Sequence, residues 1–268
     1  MSSRPSGRYP IERRKGEIER LLAQAEAIAA DAEIMLERIG VAAGWHCLDL
    51  GCGPGGITGL LSKRVGAAGR VLGLDADPAF LDYARHEKPA NVEFVQGDAY
   101  GTGLEGASFD LVHVRFLAST AGEPLKLLRE AMRLAKPGGV VAFQESDISS
   151  LKCFPPHPAW QRLADCVAAV LQAVGGDPRF GQRLYRMARA EGMKDVEYRP
   201  FVVGVRSGDP MTDYLPATVE SMRSALLEHR IISSGELDAA LAQCRAHLAQ
   251  PEVVFSLYTT VQVWGRVP

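Results

Sequence analysis

The stretch HCLDLGCGPGGITGLL (residues 46–61) places a short apolar run directly before a glycine-rich turn, and a helical pattern follows the turn. Gly51, Gly53 and Gly56 satisfy the spacing G-x-G-x-x-G, which lets the backbone of a strand-to-helix turn approach a bound cofactor closely. Dinucleotide sites share this spacing. The turn lacks the Lys-Ser/Thr pair of a P-loop, so a nucleoside triphosphate is not expected here.

Asp49 stands just before the turn and bears on the type of cofactor. A carboxylate at about 4 Å repels a pyrophosphate by about 1 kcal/mol in water and by about 4 kcal/mol at an effective dielectric of 20. The same carboxylate attracts an ammonium or a sulfonium. A second interpretation, in which Asp49 only caps the turn, stays open at this point.

Around the turn, short apolar runs alternate with helical patterns. This alternation of buried-type strands and helices predicts a parallel sheet that is covered on both faces. The predicted strands cover residues 46–50, 70–74, 92–96, 109–114 and 138–143, and the predicted helices between them cover 57–65, 78–86 and 124–134.

The two ends of the chain have other patterns. Apolar residues from Ile18 to Ile39 form one helical stripe, and Gly40 is predicted to end that helix. After Phe143 the patterns predict helices over 158–174 and 181–192, a strand over 196–205, a helical stretch over 210–249 and a last strand over 253–264. We expect the two late strands to form a hairpin and the long helical stretch between them to form a cap.

Five segments occur in the order found in one large enzyme family. They are LDLGCGPGG (48–56), VLGLDADPAFLDYAR (71–85), VEFVQGDA (92–99), FDLVHVRFL (109–117) and LAKPGGVVAF (134–143). Over about residues 45–145 the chain therefore resembles the class I S-adenosylmethionine-dependent methyltransferases, in particular their small-molecule, natural-product branch.

The resemblance implies an α/β fold: a Rossmann-like seven-stranded sheet with helices on both faces and the last strand antiparallel, plus an N-terminal helix and a helical cap. It divides the chain into an N-terminal helical segment (1–40), a core that binds S-adenosyl-L-methionine (41–150) and a remainder (151–268). Cap insertions are expected at about 151–192 and 206–251.

The resemblance also implies a set of cofactor-binding residues. Asp75 would accept the ribose hydroxyl hydrogens, as the corresponding acid does in dinucleotide folds. Asp98 would accept from the adenine amino group, and Asp49 would face the methionine amine. The full expected set is Asp49, Gly51, Cys52, Gly53, Asp75, Ala76, Phe80, Asp98, Ala99, Val114 and Arg115. For Arg115, a structural ion pair and a bond to a carboxylate are equally open alternatives.

Methyl transfer needs a nucleophile in line with the sulfur–methyl bond, and an oxygen or carbon nucleophile usually also loses a proton. Glu145 and His157 are the preferred candidates for a general base because they follow the fifth strand, where the family's substrate cavity opens. His113 is a further candidate. The polar start of the N-terminal helix, with Tyr9, Arg14 and Gln24, is expected to reach the bound ligand.

The sequence predicts a small, partly hydrophobic acceptor. Net charge is −2, and HVRF (113–116) replaces the Asn/Asp-Pro-Pro-Tyr signature of nucleic-acid and protein methylation, so no nucleic-acid partner is expected. Five cysteines without C-x-x-C spacing and the absence of a long apolar run favour a cytoplasmic protein with no membrane partner and no metal site.

Two other functional classes stay open. A nicotinamide oxidoreductase would use the same sheet, and a methyltransferase-like protein can bind the cofactor while catalysing a cyclisation or no methyl transfer. The cap is expected to set acceptor choice, with Trp160 and Tyr214 among its aromatic residues. An oligomer interface that uses Leu226, Leu227, Ile231 and Ile232 is the alternative, so a homo-oligomer is possible.

Overall fold

A computed structural model of the protein describes residues 16–86, 88–120 and 122–268. The first five strands of its main sheet are β1 (His46–Leu50), β2 (Arg70–Asp75), β3 (Val92–Gln96), β4 (Phe109–Arg115) and β5 (Ala135–Asp147). The helices before and between them are α1 (Glu17–Ala27), α2 (Ala29–Ile39), α3 (Thr58–Val65), α4 (Pro78–Arg85) and α5 (Pro124–Leu134).

The second half adds helices and two kinds of strand. A 3-10 turn (Ile148–Ser150) leads into β6 (Lys152–Phe154), α6 (Pro158–Ala173), α7 (Phe180–Ala190), β7 (Lys194–Phe201) and β8 (Gly204–Arg206). The chain then continues through α8 (Tyr214–Ser221), α9 (Arg223–Glu228), α10 (Ser234–Leu248), β9 (Val254–Ser256) and β10 (Thr259–Arg266).

The main sheet has the strand order β3-β2-β1-β4-β5-β10-β7. Strands β1 to β5 are parallel to one another, and β10 runs antiparallel to both β5 and β7. The predicted Rossmann-like, seven-stranded sheet with an antiparallel last strand is thus confirmed. The order reverses between β1 and β4, and ligands of open α/β sheets bind at such a point, beyond the carboxyl ends of the strands.

Each face of the main sheet is covered by its own apolar cluster. Met35 and Leu36 of α2 are fully buried with Leu61 and Val65 of α3 on one face, while α5 and α7 cover the other face. Full burial of one such side chain contributes about 1.5–3 kcal/mol. Gly40 ends α2 with φ 78°, as predicted, because the left-handed conformation there is open to glycine at little cost.

The predicted helix over 18–39 is two helices. Ile28 separates α1 from α2 with φ −110° and ψ 7°, and its side chain is buried. Helix α2 therefore packs on the sheet, while α1 turns away and contacts α8 of the cap.

The two predicted late strands are also divided. The first splits into β7 and β8, and the second splits into β9 and β10. Strands β7 and β10 belong to the main sheet, whereas β8 and β9 join β6 in a separate three-stranded antiparallel sheet. This small sheet packs with α6, α8, α9 and α10 around a third apolar cluster, which forms the cap.

Candidate functional site

The glycine turn after β1 is held tightly against the end of β2. Gly51, Gly53 and Gly55 have positive φ values of 80°, 53° and 94°, a conformation that favours glycine. The N–H groups of Gly51 and Cys52 both donate to the carbonyl oxygen of Leu74, at 2.7 and 3.0 Å. The turn therefore exposes backbone, rather than side chains, at the point where the strand order reverses.

Asp75, the last residue of β2, faces this turn. Its Oδ2 accepts from the N–H of Gly53 and its Oδ1 from the N–H of Asp77, both at 2.8 Å. Burial raises the pKa of Asp75 above 3.8, although both hydrogen bonds oppose that rise. Each oxygen keeps a second lone pair, so the carboxylate can still accept two hydroxyl hydrogens.

Asp98 and Ala99 follow β3 at the same edge of the sheet. Asp98 is exposed, and its Oδ1 accepts from the N–H of Tyr100 at 2.9 Å. Ala99 is buried, and its N–H donates to no group in the described part of the chain. A carboxylate and a free backbone donor thus stand side by side, which suits the edge of a purine ring.

Three more of the predicted cofactor neighbours lie in the turn or follow β2 along the chain. Cys52 is buried, and burial raises the pKa of its thiol, so the group is a neutral wall and not a nucleophile. Ala76 is exposed after β2, and Phe80 is half-buried on α4.

Asp49 lies beneath the turn and is bonded within the sheet. His113 is its neighbour in β4, and Nδ1 of this ring lies 3.1 Å from Asp49 Oδ1. Because a carboxylate only accepts, Nδ1 carries the hydrogen. His113 Nε2 lies 3.1 Å from the side-chain amide of Gln144, which donates an N–H to this lone pair when its oxygen and nitrogen are exchanged. All three side chains are buried, so this row anchors one negative charge under the glycine turn.

Arg115 and Val114 end strand β4 next to this row. Val114 is buried in the sheet opposite Leu50. The Arg115 guanidinium lies on Gly56, where a Cβ would overlap Nη2, and it makes no hydrogen bond or ion pair with any described residue. Burial lowers its pKa, and the charge of Asp49 opposes that change. An unpaired cation therefore lies beside the turn.

Glu145 on β5 is fully buried and holds the segment that follows β4. Its carboxylate accepts from the N–H groups of Leu117, Ala118 and Ser119 at 3.1, 2.8 and 3.1 Å. Burial raises the pKa of Glu145 to about 7 in spite of these bonds. Phe116, the residue before these three donors, has a φ of 52°. The carboxylate of Glu145 therefore holds a sharply turned backbone at the exit of β4.

His157 lies apart from Glu145. Its Nδ1 accepts from the N–H of Ala159 at 3.2 Å and caps α6, while its ring stacks on His247 at a centroid distance of 4.5 Å. No contact joins His157 to Glu145 or to His113 in the described chain. The three candidate general bases therefore occupy three separate places.

The exit of β4 is covered by residues from distant parts of the chain. Gln24 of α1 donates through Nε2 to the hydroxyl oxygens of Tyr214, at 2.7 Å, and Tyr258, at 2.5 Å. The two hydroxyls lie 3.0 Å apart, and Tyr258 meets Phe116 edge-on at 5.7 Å. Gln24 therefore contacts the cap and the β9–β10 connection, and its reach to a bound ligand stays a prediction. Tyr9 and Arg14 lie outside the described residues.

Sequence reasoning did not single out Tyr258. It falls between β9 and β10, inside what the pattern predicted as one continuous strand, and no motif includes it. The described helices include none that could cross a membrane. Among the same described residues, no group of three or more His, Cys, Asp or Glu side chains is arranged to hold a metal ion.

Comparison with known proteins agrees with this geometry. Residues 48–143 match the family model described as "Methyltransferase domain". The demethylmenaquinone methyltransferase of Lactococcus lactis subsp. lactis is 36% identical over 123 residues, which is 44% of this chain and 49% of that protein. The chain thus spans about half the length of the curated relatives it matches.

Two solved structures share the fold over most of the chain. A Bacillus halodurans protein has a TM-score of 0.59 at 18% identity, over 88% of this chain and 98% of the other. Phosphoethanolamine N-methyltransferase 2 of Haemonchus contortus has a TM-score of 0.56 at 19% identity, over 89% of this chain and 52% of the other. At these identities the likeness shows the fold alone.

Residues 48–143 of this chain therefore form a methyltransferase domain. The cofactor of this domain is S-adenosylmethionine. The residues at the carboxyl edge of the sheet fit that molecule, because the turn offers bare backbone, Asp49 offers a negative charge and Arg115 an unpaired positive one.

Proposed function

We propose that this protein transfers a methyl group from S-adenosylmethionine to a small, partly hydrophobic acceptor by in-line displacement. One observation carries the proposal: Asp49, Asp75 and Arg115 converge on the glycine turn, each with hydrogen-bonding capacity left for a ligand. A zwitterionic amino acid joined to a ribose has matching groups, namely an ammonium, two hydroxyls and a carboxylate.

In this proposal each group takes one part of the cofactor. Asp75 accepts the ribose hydroxyl hydrogens, and Asp98 with the N–H of Ala99 binds adenine, which Ala76 and Phe80 flank. The backbone of Gly51 and Gly53, with Cys52 and Val114 behind it, surrounds the methionyl part. Asp49 attracts its ammonium, and Arg115 pairs with its carboxylate.

When bound, the cofactor supplies an electrophilic methyl group on a sulfonium whose charge disappears during transfer. The residues of this chain then orient the partners and exclude water, and both effects lower the barrier to transfer. The contacts of His113 and Glu145 support positioning roles: His113 holds Asp49, and Glu145 holds the 117–119 segment. The contacts of His157 support a structural role as a helix cap.

A small acceptor is supported by two observations. The curated relatives that the chain matches include demethylmenaquinone methyltransferases, which are named for a small-molecule substrate. The cap also presents an apolar cluster next to the exit of β4, with Phe116, Ala23 and Ala27 packed against it. The five cysteines are free and buried, which supports a reducing, cytoplasmic location.

Most of the residues that were expected to form an oligomer interface on the cap are not exposed. Leu226 and Ile232 are buried in the cap's own core, Ile231 packs against that core, and Leu227 is 37% exposed. These positions support a cap that folds on itself and faces the acceptor. A second copy of the chain would have to bind elsewhere.

Isothermal titration with S-adenosylhomocysteine and with NADH tests the proposal. We expect the first to bind and the second not to bind. Arg115→Met should weaken S-adenosylhomocysteine about tenfold, the size expected for one charge-assisted bond, while the control Arg85→Met on exposed α4 leaves it unchanged. Binding of NADH alone would assign the sheet to an oxidoreductase.

Transfer itself is measured with S-adenosylmethionine that carries a tritiated methyl group, offered together with a panel of small hydroxylated and keto-bearing aromatic acceptors. Label in an acceptor supports methyl transfer. Cofactor binding with an altered acceptor that gains no label would favour the cyclisation alternative.

A further inference from the structure

Helices α1 and α2 follow each other directly in the chain, but they are attached to the rest of the protein in different ways. Helix α2 buries large apolar side chains, among them Met35 and Leu36, against the sheet. The buried residues of α1 are Glu17, Gln24 and Ala25, and its two leucines are only half-buried. The docking of α1 therefore depends mainly on polar contacts and on small side chains.

The polar contacts of α1 join it to the cap. Gln24 Nε2 donates to the hydroxyl oxygens of Tyr214, at 2.7 Å, and of Tyr258, at 2.5 Å, and the two hydroxyls lie 3.0 Å apart. All three side chains of this triangle are buried, so water competes little for their bonds. One turn earlier, the Arg20 guanidinium lies over the ring of Tyr214, 5.7 Å from its centroid. The triangle thus fastens α1 to the cap.

The next residue of α1 lies on the glycine turn. A Cβ on Gly56, the last glycine of the G-x-G-x-x-G spacing, would lie 3.0 Å from the Cβ of Ala25 and would overlap Nη2 of Arg115. Helix α1, the turn and the Arg115 guanidinium therefore meet without space for one more methyl group. While α1 is docked, it covers the turn on this side.

The boundary between the two helices gives α1 a point about which it can turn. Ile28 leaves the helical conformation, with φ −110° and ψ 7°, and its side chain is only 3% exposed. Because α2 has its own apolar contacts with the sheet, α1 can leave the cap while α2 stays folded. Segments with few buried apolar contacts open at a lower free energy than core elements do.

We propose that α1 is a lid over the cofactor turn, which pivots at Ile28 and is latched closed by the bonds of Gln24 to Tyr214 and Tyr258. This inference rests on the proposed function, because it takes the glycine turn as the site of S-adenosylmethionine. The closed lid keeps water from Arg115 and from the cofactor beside it, which strengthens the charge interactions there. Replacement of S-adenosylhomocysteine by S-adenosylmethionine after each transfer then requires the lid to open.

Hydrogen–deuterium exchange of the full chain, resolved by mass spectrometry, tests the latch. We expect the amides of 17–27 to exchange at least about tenfold faster than those of 29–39, and S-adenosylhomocysteine to slow only the first set. Gln24→Leu removes both bonds and should speed exchange in 17–27 about tenfold without changing 29–39. Tenfold corresponds to about 1.4 kcal/mol, the size of one or two net hydrogen bonds.

The release of bound ligand tests whether the latch controls access. Tritiated S-adenosylhomocysteine is bound to the protein, and its dissociation is followed after addition of an excess of unlabelled ligand. In Gln24→Leu both dissociation and association should be about tenfold faster, because opening precedes both events. The dissociation constant should therefore stay within about twofold.

Two further variants complete the experiment. Gln161→Leu is the matched control, because this glutamine is exposed on α6 and its side chain bonds to Asp165 one turn further along. It should change neither the exchange of 17–27 nor the rates of the ligand. Tyr214→Phe removes one of the two acceptors of Gln24 and should give the same changes as Gln24→Leu by smaller factors.

The inference is overturned if Gln24→Leu leaves exchange in 17–27 unchanged, or if both helices exchange faster together. It is also overturned if 17–27 exchanges faster while both rates of the ligand keep their wild-type values. Should Gln24→Leu fail to fold, Tyr214→Phe decides between the same outcomes. In each case normal binding of S-adenosylhomocysteine by the wild-type protein leaves the proposed function intact, whereas absence of that binding would refute the proposed function and this inference with it.

Discussion

Two buried polar groups of side chains differ in how they are assembled. The row Asp49–His113–Gln144 joins neighbouring strands of one sheet, and Asp49 and His113 lie directly opposite each other. The triangle Gln24–Tyr214–Tyr258 joins α1, α8 and the connection between β9 and β10, over separations of 190 and 234 residues.

The difference corresponds to two tasks. Under the proposed function the row supports the turn that binds the cofactor, and it lies in or beside the segment that matches the family model. The triangle depends on segments outside that match and, in the same proposal, lies toward the acceptor. The proposal thus assigns cofactor binding to a local arrangement and acceptor binding to remote parts of the chain.

The largest expected effect concerns the pH dependence of stability on the cofactor side. The pKa of folded Glu145 is about 7 against an ordinary 4.5, so between these pH values the folded state binds more protons than the unfolded state. The free energy of unfolding therefore falls as pH rises through that window, by about 3 kcal/mol at about 1.4 kcal/mol per pH unit. Urea unfolding from pH 4.5 to 8 measures the fall.

Glu145→Gln removes this titration. The difference in unfolding free energy between this variant and the wild type should therefore change by about the same 3 kcal/mol between pH 4.5 and pH 7. Glu93→Gln, on the exposed side of β3, should follow the wild-type profile. Parallel pH profiles for the wild type and Glu145→Gln would contradict the raised pKa.

Next in size is the loss of the carboxylate that we propose binds the ribose, Asp75. Asp75→Ala should weaken S-adenosylhomocysteine by about 1.5–3 kcal/mol, roughly tenfold to hundredfold, because a charge-assisted bond is lost and the anchor of Gly53 disappears. Isothermal titration measures the affinity, and circular dichroism confirms the fold. Asp82→Ala on neighbouring α4 serves as the control, and an unchanged dissociation constant for Asp75→Ala would show that another group binds the ribose.

The separation of the two halves is tested directly by Gln24→Leu. Removing the amide leaves both tyrosine oxygens with fewer donors, so unfolding free energy should drop by about 1–2 kcal/mol. Affinity for S-adenosylhomocysteine should stay within about twofold. A tenfold loss of that affinity would show that the triangle contributes to cofactor binding, so that the two polar groups would not have separate tasks.

The smallest effect is expected at the far edge of the sheet. Arg199 of β7 pairs with Asp31 of α2 at 2.5 Å, and both side chains are partly exposed. Asp31→Asn should therefore cost less than about 1 kcal/mol in unfolding free energy and leave cofactor affinity unchanged. Chemical unfolding at low and high salt measures it. A loss above 2 kcal/mol would show that α2 depends on this ion pair and not on its apolar face.

The sequence predicted the cofactor half well for a physical reason. Strands β1, β2, β4 and β5 contain buried apolar runs, and α5 was predicted with its observed bounds because its apolar positions keep one period. The turn from 51 to 56 could be predicted because only glycine takes these φ values at low cost. Each of these features depends on residues that are close together in the sequence.

Other features of the structure, such as the boundary between α1 and α2, have no local sequence pattern that predicts them. Ile28 separates α1 from α2 without glycine or proline, and its reason is tertiary: α1 bonds to Tyr214 and Tyr258 while α2 packs on the sheet. The role of Glu145 as a cap for three N–H groups likewise depends on the turn at Phe116, which lies 29 positions earlier. Neither contact has a spacing that a motif could record.

The division of the two late strands has a consequence for protein engineering. Both predicted strands cross between the main sheet and the small sheet within a few residues, at 202–203 and at 257–258. At this crossing the N–H of Leu257 donates to the carbonyl oxygen of Val203 at 2.9 Å. A chimera that replaces the cap by that of another enzyme therefore needs its junctions at this paired crossing. Junctions placed further along either strand would cut β-ladders in the donor and recipient alike.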